Sequence, residues 1–221
     1  MTYLAIILTG GRGSRLGNRR KDHISIGGRT LAQAAVDATD RAAGRVMVGP
    51  PTELMTRSGA APIQHVWERP QYAGPAAAIA AGWEKLTAGA DLGKNPLGHA
   101  SVEASALPVL LLGVDLPRLE ELVPALLQEW HNAPPGTKLV LPQDESGRDQ
   151  NMAAVISAEA LGNILAAKPF IGLVDASMRE LFDAIEAGSV HRPVLAPALL
   201  MDIDTPADAR AAKAKLPDKE A

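Results

Sequence analysis

The sequence predicts an α/β fold: one three-layer domain in which a mostly parallel sheet is flanked by helices on both faces. Three observations carry this expectation. Leu4 to Leu8 is continuously apolar over the length of a strand and does not alternate, the pattern of a strand buried on both faces. Val109 to Gly113 is a second run of the same kind. Around these runs, strand-like and helix-like segments alternate along most of the chain, which calls for crossover connections and hence parallel strands. No internal repeat or shift of composition divides the 221 residues. One domain over 1–212 is therefore expected, followed by a charged C-terminal tail over 213–221.

After the first strand comes a glycine-rich stretch, Gly10 to Gly17. Ile24-Ser25-Ile26 followed by Gly27-Gly28 reads as a hairpin connection, and Thr30 as the N-cap of a helix from Leu31 to about Ala43, closed by Gly44. Strands are expected at Arg45 to Val48 and Pro62 to Val66, with a short helix beginning at Thr52 or Glu53 between them. Glu68 to Pro75 is a loop by its Pro and Gly content, and a helix follows from Ala76 to about Leu86. Thr87 to Leu107, weakly periodic and Ala/Ser-rich at its end, reads as a long inserted loop. Beyond the strand Val109 to Gly113, a helix is predicted from Leu119 to His131 and strands at Lys138 to Leu141 and Met152 to Ile156. Helices are expected over Ala158 to Ala167 and Met178 to Ala187, and an edge strand over Val194 to Met201, which contains Pro197. Thr205 and Pro206 have the N-cap/N1 arrangement of a last helix, which frays into the tail from Lys213.

Composition narrows the function classes. The net charge is −3 and aromatics are scarce, so no basic stripe interleaved with stacking rings points to nucleic acid. With no cysteine there are neither disulfides nor thiolate metal sites. The N-terminal apolar run is too short to span a bilayer and lacks a basic region before it and a cleavage site after it. A cytoplasmic protein without a membrane partner is expected.

The candidate chemistry starts at Leu8, Thr9, Gly10, Gly11, Arg12 and Gly13, where the first strand runs into glycines. Glycine lets backbone approach a ligand closely, and successive N–H groups in such a turn make an anion-binding concavity. Arg12, Arg15 and Lys21 add positive charge. The stretch is neither a Walker A loop, having no Lys-Ser or Lys-Thr after a glycine, nor a dinucleotide fingerprint, because Leu16 stands where the third glycine belongs. Asp115, two residues past a buried strand, stands at the carboxyl edge of the sheet, where ligands of open α/β sheets bind. A carboxylate there suits Mg²⁺, and it equally suits an N-cap for the following helix. In Asp202-Ile203-Asp204-Thr205-Pro206-Ala207-Asp208 the first two carboxylates project to one side, although such a segment alone also reads as a helix start.

Taken together these pieces resemble the molybdenum cofactor guanylyltransferase family, the MobA-like nucleotidyltransferases. Leu8-Thr9-Gly10-Gly11 followed by Arg15-Leu16-Gly17 matches the family's L-x-G-G-x-x-x-R-[ML]-G signature, and Lys21 falls where the family has its lysine. Glu68 with Gly74-Pro75-Ala76 resembles its acidic-then-Gly-Pro segment, Leu112 to Pro117 its strand-ending Asp motif, and Asp202 to Asp208 its closing Thr-Pro-x-Asp motif. The resemblance spans nearly the whole chain and implies a Rossmann-like nucleotidyltransferase fold. It implies that Leu8 to Gly13, Glu68, Gly74 and Pro75 hold a nucleotide, that Arg15 and Lys21 contact its phosphates, and that Asp115 and Asp204 bind Mg²⁺.

The implied reaction transfers GMP from GTP to the phosphate of molybdopterin with release of pyrophosphate; Gly10-Gly11 resembles the guanylyl members more than the cytidylyl ones. The implied partners are these small molecules, together with transient contacts to molybdenum cofactor proteins. Cytidylyl transfer, sugar-phosphate nucleotidyl transfer and a non-catalytic nucleotide-binding relative are the alternatives. Arg20-Lys21 stands where the family has Asp-Lys, with Asp22 one residue late, and Asp149-Gln150-Asn151 stands at its later Pro-Gln segment.

Overall fold

The computed structural model describes residues 1–9, 11, 14–88 and 107–217. Its main sheet has seven strands in the order β5-β4-β1-β6-β8-β7-β9. These are β1 (Leu4–Leu8), β4 (Gly44–Val48), β5 (Ile63–Val66), β6 (Pro108–Gly113), β7 (Leu139–Val140), β8 (Ala153–Ser157) and β9 (Val190–His191). The pairs β5–β4, β4–β1, β1–β6 and β7–β9 are parallel, and β8 runs antiparallel to both neighbours. The expected mostly parallel sheet is therefore present, with β8 alone reversed.

The two continuous apolar runs become the central pair β1 and β6, and their lack of alternation has a direct cause. Ala5 and Ile7 of β1, with Leu110 and Leu112 of β6, face one core, beneath α1 (Leu31–Ala38) and α3 (Leu119–Asn132). Ile6 and Leu8, with Val109 and Leu111, face a second core, beneath α2 (Pro75–Thr87), α4 (Ala158–Ala167) and α5 (Met178–Phe182). Each fully buried Ile or Leu contributes about 1.5–3 kcal/mol relative to exposure. Among the described residues no helix is long and apolar enough to cross a membrane.

The predicted hairpin is β2 (Ser25–Ile26) with β3 (Arg29–Thr30), and Thr30 caps α1 by accepting from Gln33 N at 3.1 Å. Several expectations are corrected. Helix α1 ends at Ala38, five residues early, where the Thr39 hydroxyl donates back to Ala35 O. Gly44, read as its cap, instead starts β4 opposite Leu4. No helix begins at Thr52 or Glu53; residues 51–57 have no regular structure, and the Thr52 hydroxyl is engaged elsewhere. Helix α5 stops at Phe182, and the last strand is β9 rather than Val194 to Met201. Pro193 and Pro197 keep that later segment out of a ladder: Val194 makes an isolated bridge to Gln143, and Pro197–Leu200 is a short helix, α6.

The last helix, α7 (Pro206–Ala211), is capped by Thr205 as expected. The segment after it, expected to fray, returns to the hairpin over 213–217. Ser25 and Lys215 exchange backbone hydrogen bonds at 3.0 and 2.7 Å, and Arg19 Nε donates to Pro217 O at 2.9 Å. Of the expected long loop Thr87 to Leu107, Thr87 ends α2, and 89–106 lies outside the described residues, as does 218–221 of the tail.

Candidate active site

Strand order places the site. The chain leaves β1 towards β4 and β5 on one side, then crosses back to β6 on the other, so a crevice opens beyond the carboxyl ends of β1 and β6. Because β8 is reversed, its start lies at this same edge, where Gly113 N donates to Met152 O at 2.7 Å. The crevice is a cleft of about 560 Å³. Leu8, Thr9, Gly11, Lys21, Glu68, Gly74, Pro75, Asp115 and Asp204, all anticipated from sequence, line it. Arg15 reaches its edge through Asp204 Oδ2 at 3.4 Å. Gly10, Arg12 and Gly13 lie outside the described residues.

At the centre of the cleft, Lys21 Nζ donates to Asp115 Oδ2 at 2.8 Å and to Asp204 Oδ1 at 2.5 Å. Burial opposes the charge on Lys21, but the two carboxylates outweigh it and hold the ammonium above the ordinary lysine range. Asp115 is not a helix cap: the N-cap of α3 is Arg118, which pairs with Glu121. Its Oδ1 is buried and accepts no hydrogen bond. Gly113 makes room for it, since a Cβ there would lie 2.6 Å from this Oδ1 and 2.7 Å from Met152 Cε.

The closing segment is tied to Asp115 by Ile203 N, which donates to Asp115 O at 2.9 Å. Asp202 and Asp204 both reach the cleft, while Asp208 turns away and closes a capping box with Thr205. Burial, Asp204 and Asp115 together push the Asp202 carboxyl up from its ordinary pKa. The motif thus divides, with its first half in the cleft and its second half starting a helix.

Arg20, the main departure from the family pattern, does not face this centre. Its Nε and Nη2 grip Asp22 Oδ1 and Oδ2 at 3.1 and 2.5 Å, and Nη2 lies 2.7 Å from the Thr52 hydroxyl. That hydroxyl donates to Asp22 Oδ2 at 2.6 Å, and Asp22 is only 1% exposed. The closed triangle pins the 3₁₀ turn Lys21–His23 to the chain leaving β4 and so fixes the base of Lys21.

The opposite wall of the cleft comes from the loop before α2. Glu68 Oε1 accepts from Tyr72 N at 2.9 Å, whereas its buried Oε2 accepts no hydrogen bond. Gly74, the N-cap of α2, has φ +92°, and a Cβ would approach Asp175 Cα to 3.2 Å. The glycine therefore lets the residues around Asp175 close against the start of α2, where Asp175 N donates to Ala73 O. Thr9 corrects one expectation: its N–H and its hydroxyl both donate to Val48 O at 3.0 Å, so this N–H is not a free donor for an anion.

Sequence reasoning missed Tyr72, Met152 and Asp175 and left Asp202 out of the site. Asp202 carried a signal, its same-side alternation with Asp204. Asp175, at φ +59° between a 3₁₀ turn and α5, carried none.

The profile of the MobA-like NTP transferase domain matches residues 5–190. No curated protein matches the chain. Among solved structures, molybdopterin-guanine dinucleotide biosynthesis protein A from Archaeoglobus fulgidus superposes with a TM-score of 0.59 at 14% identity, covering 95% of this chain and 96% of its own. The 2-C-methyl-D-erythritol 4-phosphate cytidylyltransferase from Thermus thermophilus gives 0.58 at 18% identity, covering 96% and 98%. At these identities the likeness is one of fold.

Proposed function

The chain belongs to the MobA-like NTP transferase family and is a nucleotidyltransferase, and from that premise we propose that it transfers GMP from GTP to the terminal phosphate of molybdopterin. The observation that carries the reading is the convergence of Lys21, Asp115 and Asp204 at the sheet's carboxyl edge, in the cleft that Leu8, Thr9 and Gly11 also line. An acceptor phosphate oxygen attacks the α-phosphorus of GTP. The bond from that phosphorus to the bridging oxygen breaks, and the electron pair leaves with pyrophosphate. The acceptor phosphate is ionised at neutral pH, so no general base is required. Lys21 and Arg15 hold the β- and γ-phosphates, which aligns the leaving group and offsets its charge.

The residues present fit Mg²⁺. Asp115 and Asp204 are hard oxygen donors, and the buried Asp115 Oδ1 has no donor of its own. Mg²⁺ takes one or two carboxylates and completes its shell with water and substrate phosphates. Among the described residues no group of three or more His, Asp or Glu side chains forms a metal cage. Asp115 and Asp204 would hold the ion, which when bound supplies charge neutralisation at the phosphate oxygens.

The choice of GTP rests on Gly10-Gly11, and that of molybdopterin on the family resemblance together with the likeness to the Archaeoglobus fulgidus protein. A second reading is cytidylyl transfer, with which a further observation is equally compatible. The unpartnered Glu68 Oε2 suits an exocyclic amino group, which guanine and cytosine both carry and uracil lacks. Calorimetric titration with GTP, CTP and UTP in the presence of Mg²⁺ tests the assignment. The expected order is GTP tightest and UTP weakest. Preferential CTP binding would replace the guanylyl assignment with the cytidylyl one, and no binding of any nucleotide would overturn both.

A further inference from the structure

Two neighbouring cations in this chain meet carboxylates in different ways. Arg20 is locked to the buried Asp22 by two parallel hydrogen bonds, and its Nη2 also lies against the Pro51 carbonyl at 3.2 Å. Lys21 makes one bond to each of two carboxylates from distant parts of the chain, and Asp204 is still 33% exposed. An ammonium on a flexible four-carbon stem is a compact point charge that can be moved, unlike a planar fork held on two oxygens. Asp202 also lines the cleft, and Arg15 reaches only Oδ2 of Asp204, not the oxygen that Lys21 holds. Lys21 Nζ thus stands between the two oxygen donors that suit a divalent cation.

We propose that Lys21 is a resident counter-ion that closes the Asp115–Asp204 pair to free divalent cations, so that the cleft takes up its metal as the metal–nucleotide complex. This inference rests on the nucleotidyltransferase reading above. A bare dication entering the pair would meet the Lys21 ammonium a few ångströms away and offer it no new partner. A nucleoside triphosphate brings several negative charges at once. Its phosphate oxygens give Lys21 an alternative anion, and the carboxylates are released to the metal that arrives with it. The same lysine then serves two states: it balances the acidic cleft when the cleft holds no ligand, and it holds phosphate when nucleotide is bound.

Mn²⁺ binding to the full chain without nucleotide, followed by loss of the free-ion paramagnetic resonance signal, tests this. Wild type should bind Mn²⁺ weakly. Lys21→Met should bind it on the order of tenfold more tightly, as removal of a facing like charge predicts. Adding Asp115→Asn to Lys21→Met should abolish the increase, which locates the ion at this pair. Lys21→Arg, which keeps the charge, should stay at or below the wild-type affinity. A non-hydrolysable GTP analogue should bring wild type to the tight-binding regime. Equal Mn²⁺ affinity of wild type and Lys21→Met overturns the proposal, as does an increase that survives Asp115→Asn or appears equally in Lys21→Arg. Pyrophosphate release by wild type with GTP, molybdopterin and Mg²⁺ is read separately. Turnover without cation exclusion overturns this inference alone, whereas exclusion without turnover with any nucleotide overturns the nucleotidyl-transfer reading.

Discussion

The two sides of the short turn at Lys21 differ in how complete their chemistry is. On the side facing the chain after β4, Arg20, the buried Asp22 and the Thr52 hydroxyl bind one another, and Arg20 Nη2 also reaches the Pro51 carbonyl. On the side facing the cleft, Lys21 bridges Asp115 and Asp204 while Asp115 Oδ1 is left with no hydrogen bond. Buried ion pairs contribute little net stability against hydrophobic replacements but are costly to break on one side only. The finished side therefore anchors. The unfinished side stays exchangeable, with acceptor capacity that protein groups do not fill. Adjacent residues of like charge can thus be assigned opposite duties from the geometry of their partners.

The largest expected effect comes from the unfinished side. Asp115→Asn keeps the shape and removes the charge, and it should lower pyrophosphate release by about 10²–10³-fold, the scale of deleting a group that stabilises the transition state. Thermal unfolding should change little. On the finished side the effect should fall on stability instead. Arg20→Ala leaves the Asp22 carboxylate buried without its guanidinium and should cost about 3 kcal/mol in chemical denaturation. Arg20→Met/Asp22→Asn should recover part of that loss, because no unpaired charge remains. If the two changes are simply additive, the triangle is not a coupled clamp.

A smaller perturbation addresses the space around the orphaned oxygen. Gly113→Ala puts a methyl group into contact with Asp115 Oδ1 and Met152 Cε. It should cost about 1–3 kcal/mol, the usual penalty of overpacking, and should reduce turnover by displacing the carboxylate. The smallest effect is expected at Asp202. Its pKa is raised in the folded chain, so the native state holds this proton to higher pH than the unfolded state does. Ionised Asp202 therefore costs stability, the cost growing as pH rises above the ordinary aspartate range and reaching its full size above the folded pKa. Asp202→Asn should raise the denaturation midpoint at pH 7, with solvent screening keeping the gain below about 1 kcal/mol. The gain should vanish below the ordinary aspartate pKa.

What the sequence made legible follows the range of the interactions involved. Leu4 to Leu8, Val109 to Gly113 and the capping residues Thr30 and Thr205 act through neighbours a few positions away, so local pattern reveals them. Asp115 and Asp204 could be paired because each ends or follows a recognisable run within a known order of motifs. The role of Arg20 could not be read, because its partner Thr52 lies 32 residues away in a segment whose pattern suggested a helix. Asp175 reaches the cleft only because the chain after α4 folds back on Gly74, a tertiary event without local pattern. Strand β9 is two residues long and too short to show periodicity, whereas the longer apolar Val194 to Met201 drew the assignment despite its proline.

The fate of the α-phosphate tests the chemistry at the Asp115 side of the turn most directly. With GTP labelled at the α-phosphorus, molybdopterin and Mg²⁺, wild type should move the label into the pterin product and release unlabelled pyrophosphate, and Asp115→Asn should not do so measurably in the same time. Label that never leaves the nucleotide pool with wild type, or that moves equally fast in Asp115→Asn, would contradict the account.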